Sequence, residues 1–448
     1  MTDHESPWES SPFERQAGDF WDPRFPNIRY PGIYFAEMDL PFVETIEATR
    51  PDRDWGLRSI AGVLADGREV LLLAHEGTKH SFQVVRDGDQ RYDRYTGVGA
   101  LIGGGATSTS EQTLVRSATL RVQNLAKWMG ANSSEAEVIG TGFMNSVDVP
   151  EITAVVDRKS RLLTIDLGAE VPLRQALTLL DEAQFLARKA IGCLTGVRSI
   201  AREQRIHTAS GQTFVWKYAR WEAPLREPIS SSQSVSMERS GPAGTLVNRF
   251  QQARQSLWPI ADVLYVNLPS PDVYSEHRFV SLISAVEGAH ANLDGAIEKR
   301  RWTGAQATEF KDAREALKLH FEGNGSAAMR SELLVGLKNE RTFAQKLNDV
   351  FDAVGDNIEA RLRIDRAAWI KLATTHRNVT AHAATTSTPQ SDTADDSAKY
   401  RALSIVAEEL LRQLLLLKME IDEEVRESSA TRAGSNLRGT SFNGFLAQ

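Results

Sequence analysis

The hydrophobic period of this chain changes once, near residues 229–244, and that change limits what the chain can fold into. Before it, from Trp21 to about Val156, short apolar runs such as Gly32-Ile-Tyr-Phe, Gly62-Val-Leu and Phe82-Gln-Val-Val are punctuated by Gly, Pro and Asp. Short runs bounded by turn formers read as strands. Asp66-Gly67 between two of them marks a hairpin, because the pair accepts the positive φ of a tight turn. Ala118–Val122, Leu162–Asp166 and Phe214–Tyr218 continue the β character. One helix interrupts them over about 172–194, where Leu173, Leu177, Leu180 and Phe185 recur at helical spacing and Thr195-Gly196 supplies the stop. The polar segment 230–236, with Gly241-Pro242 beyond it, marks the boundary.

Beyond Thr245 nearly everything reads as helix, over about 245–266, 272–298, 304–321, 327–337, 340–355, 365–382 and 396–427, with Pro259 and Gly288 as internal interruptions. A polar insert, Ala383 to Asp396, separates the last two helices and is expected to be a mobile loop. The expected architecture is α+β and multidomain. It comprises an N-terminal tail (1–17), a β-rich, β-sandwich-like domain with a helix (18–240), an all-α bundle (245–428) and a flexible tail (429–448).

Composition removes several functional classes. With 41% hydrophobic and 25% charged residues the chain is neither disordered nor a disulfide scaffold. The lone Cys193 cannot close an intrachain bridge and reads as a small buried hydrophobe. The polar start MTDHESPWES lacks an apolar core for a signal peptide, and the longest leucine block, Leu414–Leu417, is flanked by Arg412 and Lys418, so a cytoplasmic setting without membrane association is expected. The net charge of −7 argues against coating nucleic acid by bulk attraction. Residues 1–100 carry 11 Lys or Arg against 18 Asp or Glu, whereas 101–448 carry 41 of each, which leaves room for a local anion site in the later part.

Two apparent motifs fail on spacing. The run from Gly97 to Gly105 has Ile102 where a dinucleotide fingerprint needs glycine and lacks the Gly-Lys-Ser/Thr of a phosphate loop, so it reads as a flexible hairpin loop. His75 and His80 are five apart, not four, and follow an apolar strand, so they read as surface loop. No other His or Cys set has metal-ligand spacing, and neither metal nor cofactor is expected.

The segment Trp369-Ile-Lys-Leu-Ala-Thr-Thr-His-Arg-Asn-Val-Thr-Ala-His-Ala is the most informative. At about 100° per residue, Trp369, Leu372, His376, Val379 and Ala383 fall in roughly an 80° stripe expected to face the core. Arg377 and Asn378 lie about 130° to either side of its centre and His382 about 90° off it. On the residues alone, a solvated helix face with a buried His376 explains this pattern.

The order Arg377-Asn378-Val-Thr-Ala-His382 resembles the signature of HEPN ribonuclease domains, in which an arginine and a polar residue precede a histidine late in an all-α bundle. Phe279-Val-Ser-Leu-Ile-Ser-Ala-Val-Glu287 resembles the early HEPN helix whose acidic residue supports the motif. With Trp21-Asp-Pro, Pro31-Gly-Ile-Tyr-Phe and Leu125-Ala-Lys-Trp128 in the N-terminal half, the chain resembles ApeA-type anti-phage proteins over roughly 18–428. That resemblance implies a metal-independent endoribonuclease acting in abortive infection on tRNA or another RNA, with catalytic residues Arg377, Asn378, His382 and Glu287. It further implies a homodimer through the HEPN domain, with two motifs sharing one site, and an N-terminal domain that senses a phage-derived trigger. The other readings are a HEPN module that dimerises without cleaving and a ligand-sensing β domain on a helical stalk.

Overall fold

The computed structural model describes residues 14–21, 30–36, 41–46, 59–73, 81–86, 90–96, 99–122, 125, 128, 136–144, 151–157, 159–218, 243–268, 275–293, 300–324, 338–355, 357–383 and 394–438. These residues fall into two compact units, one up to Gln251 and the other from Gln252 onward. His75 to His80, the helix expected over 327–337, most of the insert at 384–393 and the last ten residues lie outside the described residues.

In the first unit the described strands pair in one continuous antiparallel order, as the β-rich reading expects. The strands are β1 (Glu14–Trp21), β2 (Tyr30–Ala36), β3 (Pro41–Ile46), β4 (Ser59–Leu64), β5 (Glu69–Leu73), β6 (Ser81–Arg86), β7 (Gln90–Thr96), β8 (Gly99–Ile102), β9 (Leu114–Val122), β10 (Ala136–Thr141), β11 (Thr153–Asp157), β12 (Leu162–Pro172), β13 (Ala201–Thr208) and β14 (Thr213–Tyr218). Their spatial order is β10-β11-β12-β9-β13-β14-β8-β5-β4-β1-β2-β3-β7-β6. The Asp66-Gly67 hairpin forms as expected between β4 and β5: Gly67 takes φ +83°, and Asp66 accepts from the Arg68 backbone N–H and guanidinium at 3.1 and 2.6 Å.

Alternation along the strands builds two apolar patches. Val115, Ala118, Leu120 and Val122 of β9 and Leu163, Ile165 and Leu167 of β12 are buried on the side packed by α1 (Leu173–Thr195). That helix ends where Gly196 adopts φ +71°, and Cys193 is buried in its last turn. Phe20, Tyr34, Ile60, Leu64, Val70, Leu72, Ala100 and Ile102 form the second patch. The glycine-rich run proves not to be a hairpin loop over its described part. Gly99–Ile102 is a fully buried central strand, and the following turn is closed by Glu69, which accepts from the Thr107 amide and hydroxyl at 2.9 and 2.5 Å.

The division between the units falls inside a helix. The first turns of α2 (Leu246–Ser256) belong to the β unit, because Asn248 pairs with the edge strand β10. Its amide accepts from Thr141 N–H at 3.3 Å and donates to Thr141 O at 2.8 Å, satisfying backbone groups that would otherwise be exposed at the sheet edge.

Among the described residues the elements of the second unit are helices: α3 (Ile260–Asn267), α4 (Ser275–Ala289), α5 (Gly304–Asn324), α6 (Phe343–Val354), α7 (Ile358–Leu362), α8 (Arg366–Ala383), α9 (Ala394–Lys418) and α10 (Glu423–Arg438). Pro259 splits the helix expected over 245–266 into α2 and α3, since its ring cannot continue the hydrogen-bonded ladder. The helix expected over 396–427 also breaks, at Met419-Glu420, where Glu420 takes φ +56°. From there α10 runs to Arg438, through half of the stretch expected to be a tail. Its small residues serve close packing: a Cβ at Gly434 would lie 2.4 Å from the Arg361 carbonyl oxygen of α7.

Helix α9 is the centre of the bundle and packs against α3, α4, α6 and α10. It carries a buried polar cluster within an otherwise apolar surface. Arg412, wholly buried, pairs with Glu408 at 3.0 Å and Glu409 at 3.5 Å, while Gln413 and Ser429 donate to Glu409 at 2.6 and 3.2 Å. Arg278 of α4 joins the cluster through Glu408. Among the described residues no helix is long and apolar enough to cross a membrane.

Candidate active site

Three helices bring the candidate residues together. Helix α4 buries Phe279, Leu282, Ile283, Val286 and Ala289, leaving Glu287 at the edge of that seam. Helix α6 starts with a capping box, Thr342 accepting from the Gln345 backbone N–H at 3.3 Å while the Gln345 side chain accepts from Thr342 N–H at 2.9 Å. This start fixes Phe343 and Lys346 on one face of the first turn. The C-terminal end of α4 is tied to α6 by buried His290, whose Nε2 lies 2.9 Å from an Asp349 carboxylate that also meets Arg341 Nε at 3.3 Å.

Helix α8 is rotated relative to the expected seam. Trp369, Ile370 and Ala373 are buried, whereas Leu372 and His376 are only half-buried, the His376 ring standing edge-on to Tyr400 at 5.2 Å. The cause is that α8 packs against both α6 and α4, so its buried arc includes Ile370. Arg377 then lies about 35° from the centre of that arc, not the expected 130°.

Consequently Arg377 is drawn into an ionic cluster. Its Nη2 donates to Glu287 Oε2 at 2.8 Å, its guanidinium lies 4.7 Å from the Phe343 ring centroid, and 35% of the side chain stays exposed. The other carboxylate oxygen of Glu287 accepts from Lys346 Nζ at 3.0 Å. Burial pushes the Glu287 pKa up, but the Lys346 hydrogen bond and the charges of Arg377 and Lys346 outweigh it, so the carboxyl is held below its ordinary 4.5. The carboxylate is therefore ionised at neutral pH and fixes one edge of the guanidinium, leaving the rest of the fork for a second anion.

Of the four residues expected at the site, the structure joins Glu287 to Arg377. Asn378 follows on the exposed face of α8. His382 is the penultimate residue of α8, and its side chain lies outside the described residues. Lys346 and Phe343 are members of the cluster that the sequence did not single out. A capping-box reading of Thr342-x-x-Gln345 would have placed both on the first turn of a helix, but nothing local pairs them with Arg377. Among the described residues no group of three or more His, Cys, Asp or Glu is arranged to hold a metal ion.

Comparison with known families matches residues 280–425 to the family described as Apea-like HEPN. The match begins within α4 and runs through α6, α8 and α9, and so includes every residue of the ionic cluster. No curated protein and no solved structure matches the chain.

Proposed function

Since residues 280–425 belong to the Apea-like HEPN family, we propose that this chain is an endoribonuclease whose HEPN domain cleaves RNA without a metal ion. Family membership supports an RNA-interacting role, and the observation that carries the finer reading is the Glu287–Arg377 pair at 2.8 Å, which orients the motif arginine at the surface of the bundle.

RNA carries its own nucleophile beside the scissile phosphate, so proton transfer and charge stabilisation suffice. His382 supplies an imidazole that takes the proton of the 2′-hydroxyl. The 2′-oxygen bonds to phosphorus as the bond from phosphorus to the 5′-oxygen breaks, and the leaving oxygen takes a proton from solvent water while His382 returns its own to solvent. The products are a 2′,3′-cyclic phosphate and a 5′-hydroxyl. Arg377 holds the non-bridging phosphate oxygens as their charge grows, and Asn378 hydrogen-bonds the phosphate or the arginine. Glu287 and Lys346 are positioning residues, acting through the guanidinium.

On an ideal helix Arg377 and His382 are about 140° apart, which disfavours one motif closing on one atom. In the proposed assembly two copies meet about a two-fold axis, so that guanidinium and imidazole groups of both surround a single phosphate. The first unit then acts as sensor for a phage-derived trigger, in a cytoplasmic anti-phage response.

The test is incubation of purified protein with total RNA or tRNA in EDTA, with and without phage extract, beside Arg377→Ala and His382→Ala. Wild type is expected to release cyclic phosphate ends and both variants to lose about 10²-fold or more in rate. Intact RNA in every lane would favour a HEPN module that assembles without cleaving.

A further inference from the structure

Between α6, α7 and α8 lies an open groove of about 630 Å³, within the size range of small-ligand sites. Ala344, Ala367 and Ile370 form its apolar lining, and Lys371, Thr374 and Thr375 its polar edge. The acids at its far end are already engaged: Glu359 is paired with Arg366 at 3.1 Å, and Asp365 accepts from the Ala368 N–H at 2.9 Å, starting α8. The Lys371 ammonium, by contrast, is exposed and has no ion-pair partner among the described residues.

The groove is continuous with the motif. Thr374 and Thr375 precede Asn378 by four and three residues, so they are its neighbours on the helix surface, and Lys371 stands two turns away, about 10.5 Å along the axis. The threonine hydroxyls donate to Ile370 O and Lys371 O at 2.7 and 2.9 Å, which turns their oxygen lone pairs outward as acceptors. An open apolar groove with acceptors at its lip, next to a cation that has no ion-pair partner among the described residues, offers what one nucleotide needs: a surface for the base, acceptors for sugar hydroxyls and a charge for the phosphate.

We propose that this groove is a subsite for the nucleotide next to the scissile linkage of single-stranded RNA, with its base against Ala344, Ala367 and Ile370 and its outer phosphate on Lys371. The proposal rests on the endoribonuclease reading above. It accounts for a feature which that reading leaves unused, a cation and a slot on the motif helix outside the Glu287–Arg377–Lys346 cluster. It also assigns substrate selection to α8 itself, since a duplex cannot turn a base into a side slot without unpairing it.

The experiment combines cleavage with binding. Full-length wild type, Lys371→Gln and Ala367→Trp are titrated with a labelled random-sequence 2′-O-methyl RNA, in which the nucleophile is blocked, across a salt series, and the same proteins are assayed on unmodified RNA. Both positions are exposed, and matched melting curves establish that the variants fold. Removing the Lys371 charge is expected to lower the slope of log K against log salt by about 0.7. Filling the slot with Trp is expected to weaken binding ~5-fold or more and to raise KM with little change in kcat. Wild-type cleavage with all variants binding and cleaving alike overturns the subsite while leaving the nuclease reading intact. No cleavage by wild type, with binding that still falls in both variants, sinks the nuclease reading and keeps the groove as an RNA site. Absence of both binding and cleavage overturns both.

Discussion

Replacing Glu287 by Gln tests whether the ionic cluster positions Arg377. The substitution keeps shape and one acceptor oxygen but removes the charge that neutralises two cations, Arg377 at 2.8 Å and Lys346 at 3.0 Å. The side chains of Glu287, Lys346 and Arg377 are 24%, 25% and 35% exposed, so solvent screens them and the cost lies nearer that of surface pairs than of buried ones. At about 0.5–1 kcal/mol for each ion pair, the loss is about 1–2 kcal/mol of folding stability at neutral pH. The pH dependence follows from the lowered pKa. A carboxyl whose folded pKa lies below its unfolded value of 4.5 contributes its full stability above 4.5 and loses it as pH falls through the lower, folded value. Urea melts of wild type and Glu287→Gln should therefore run a constant gap apart through neutral and mildly acidic pH and converge below 4.5. Released from one edge, the guanidinium can shift by an ångström, and kcat/KM on RNA should fall ~10–100-fold. Equal melts at neutral pH, or a gap that persists once the carboxyl is protonated, would refute the role assigned to the cluster; unchanged kcat/KM would refute the positioning of Arg377.

Two further outcomes probe the scaffold. Trp369 is fully buried, edge-on to Phe351 at 5.5 Å, and its indole N–H has no hydrogen-bond partner among the described residues. Trp369→Ala should cost about 3–5 kcal/mol in denaturant melts, whereas Trp369→Phe, which forfeits no bond, should cost well under half of that. Glu409 is buried within α9, and burial raises its pKa above 4.5 against the opposing pull of Arg412. A carboxyl with a raised folded pKa destabilises once pH exceeds the unfolded 4.5, so Glu409→Gln should melt higher than wild type at neutral pH, the gain vanishing as pH falls below 4.5. A lower melting point at neutral pH would mean that the Arg412 attraction exceeds the desolvation penalty.

What the sequence disclosed was mostly local. The hairpin at Asp66-Gly67, the helix stopped by Gly196 and the change of period before Thr245 each depend on neighbours a few residues apart, and each is present in the structure. Composition misled where small residues have two uses. Ser, Ala and Gly after residue 428 match a tail as well as they match α10, and only the close approach of Gly434 to the Arg361 carbonyl distinguishes the two. The glycines from Gly99 to Gly105 posed the same ambiguity: strand β8 buries part of the run and a turn uses the rest.

The candidate site was half legible for a related reason. A helical wheel fixes angles between residues of one helix, but the zero of the wheel is set by what the helix packs against. For α8 that zero is fixed by α4 and α6 together, and it turns Arg377 toward the bundle edge. Lys346 lies 59 residues from Glu287 in the chain, so no periodicity links them; only the bundle does. The same rotation that draws Arg377 to Glu287 leaves Asn378 exposed on the face shared with Lys371 and Thr375. A motif read from six consecutive residues is thus divided by its helix into one residue that the bundle orients and one that faces the proposed substrate path. That division follows from helix phase, so shifting Arg377 by one position, as in the exchange Arg377→Asn with Asn378→Arg, would keep composition and charge while moving the guanidinium by about 100°. With the phase altered, Glu287 and Lys346 would be left to pair with each other alone.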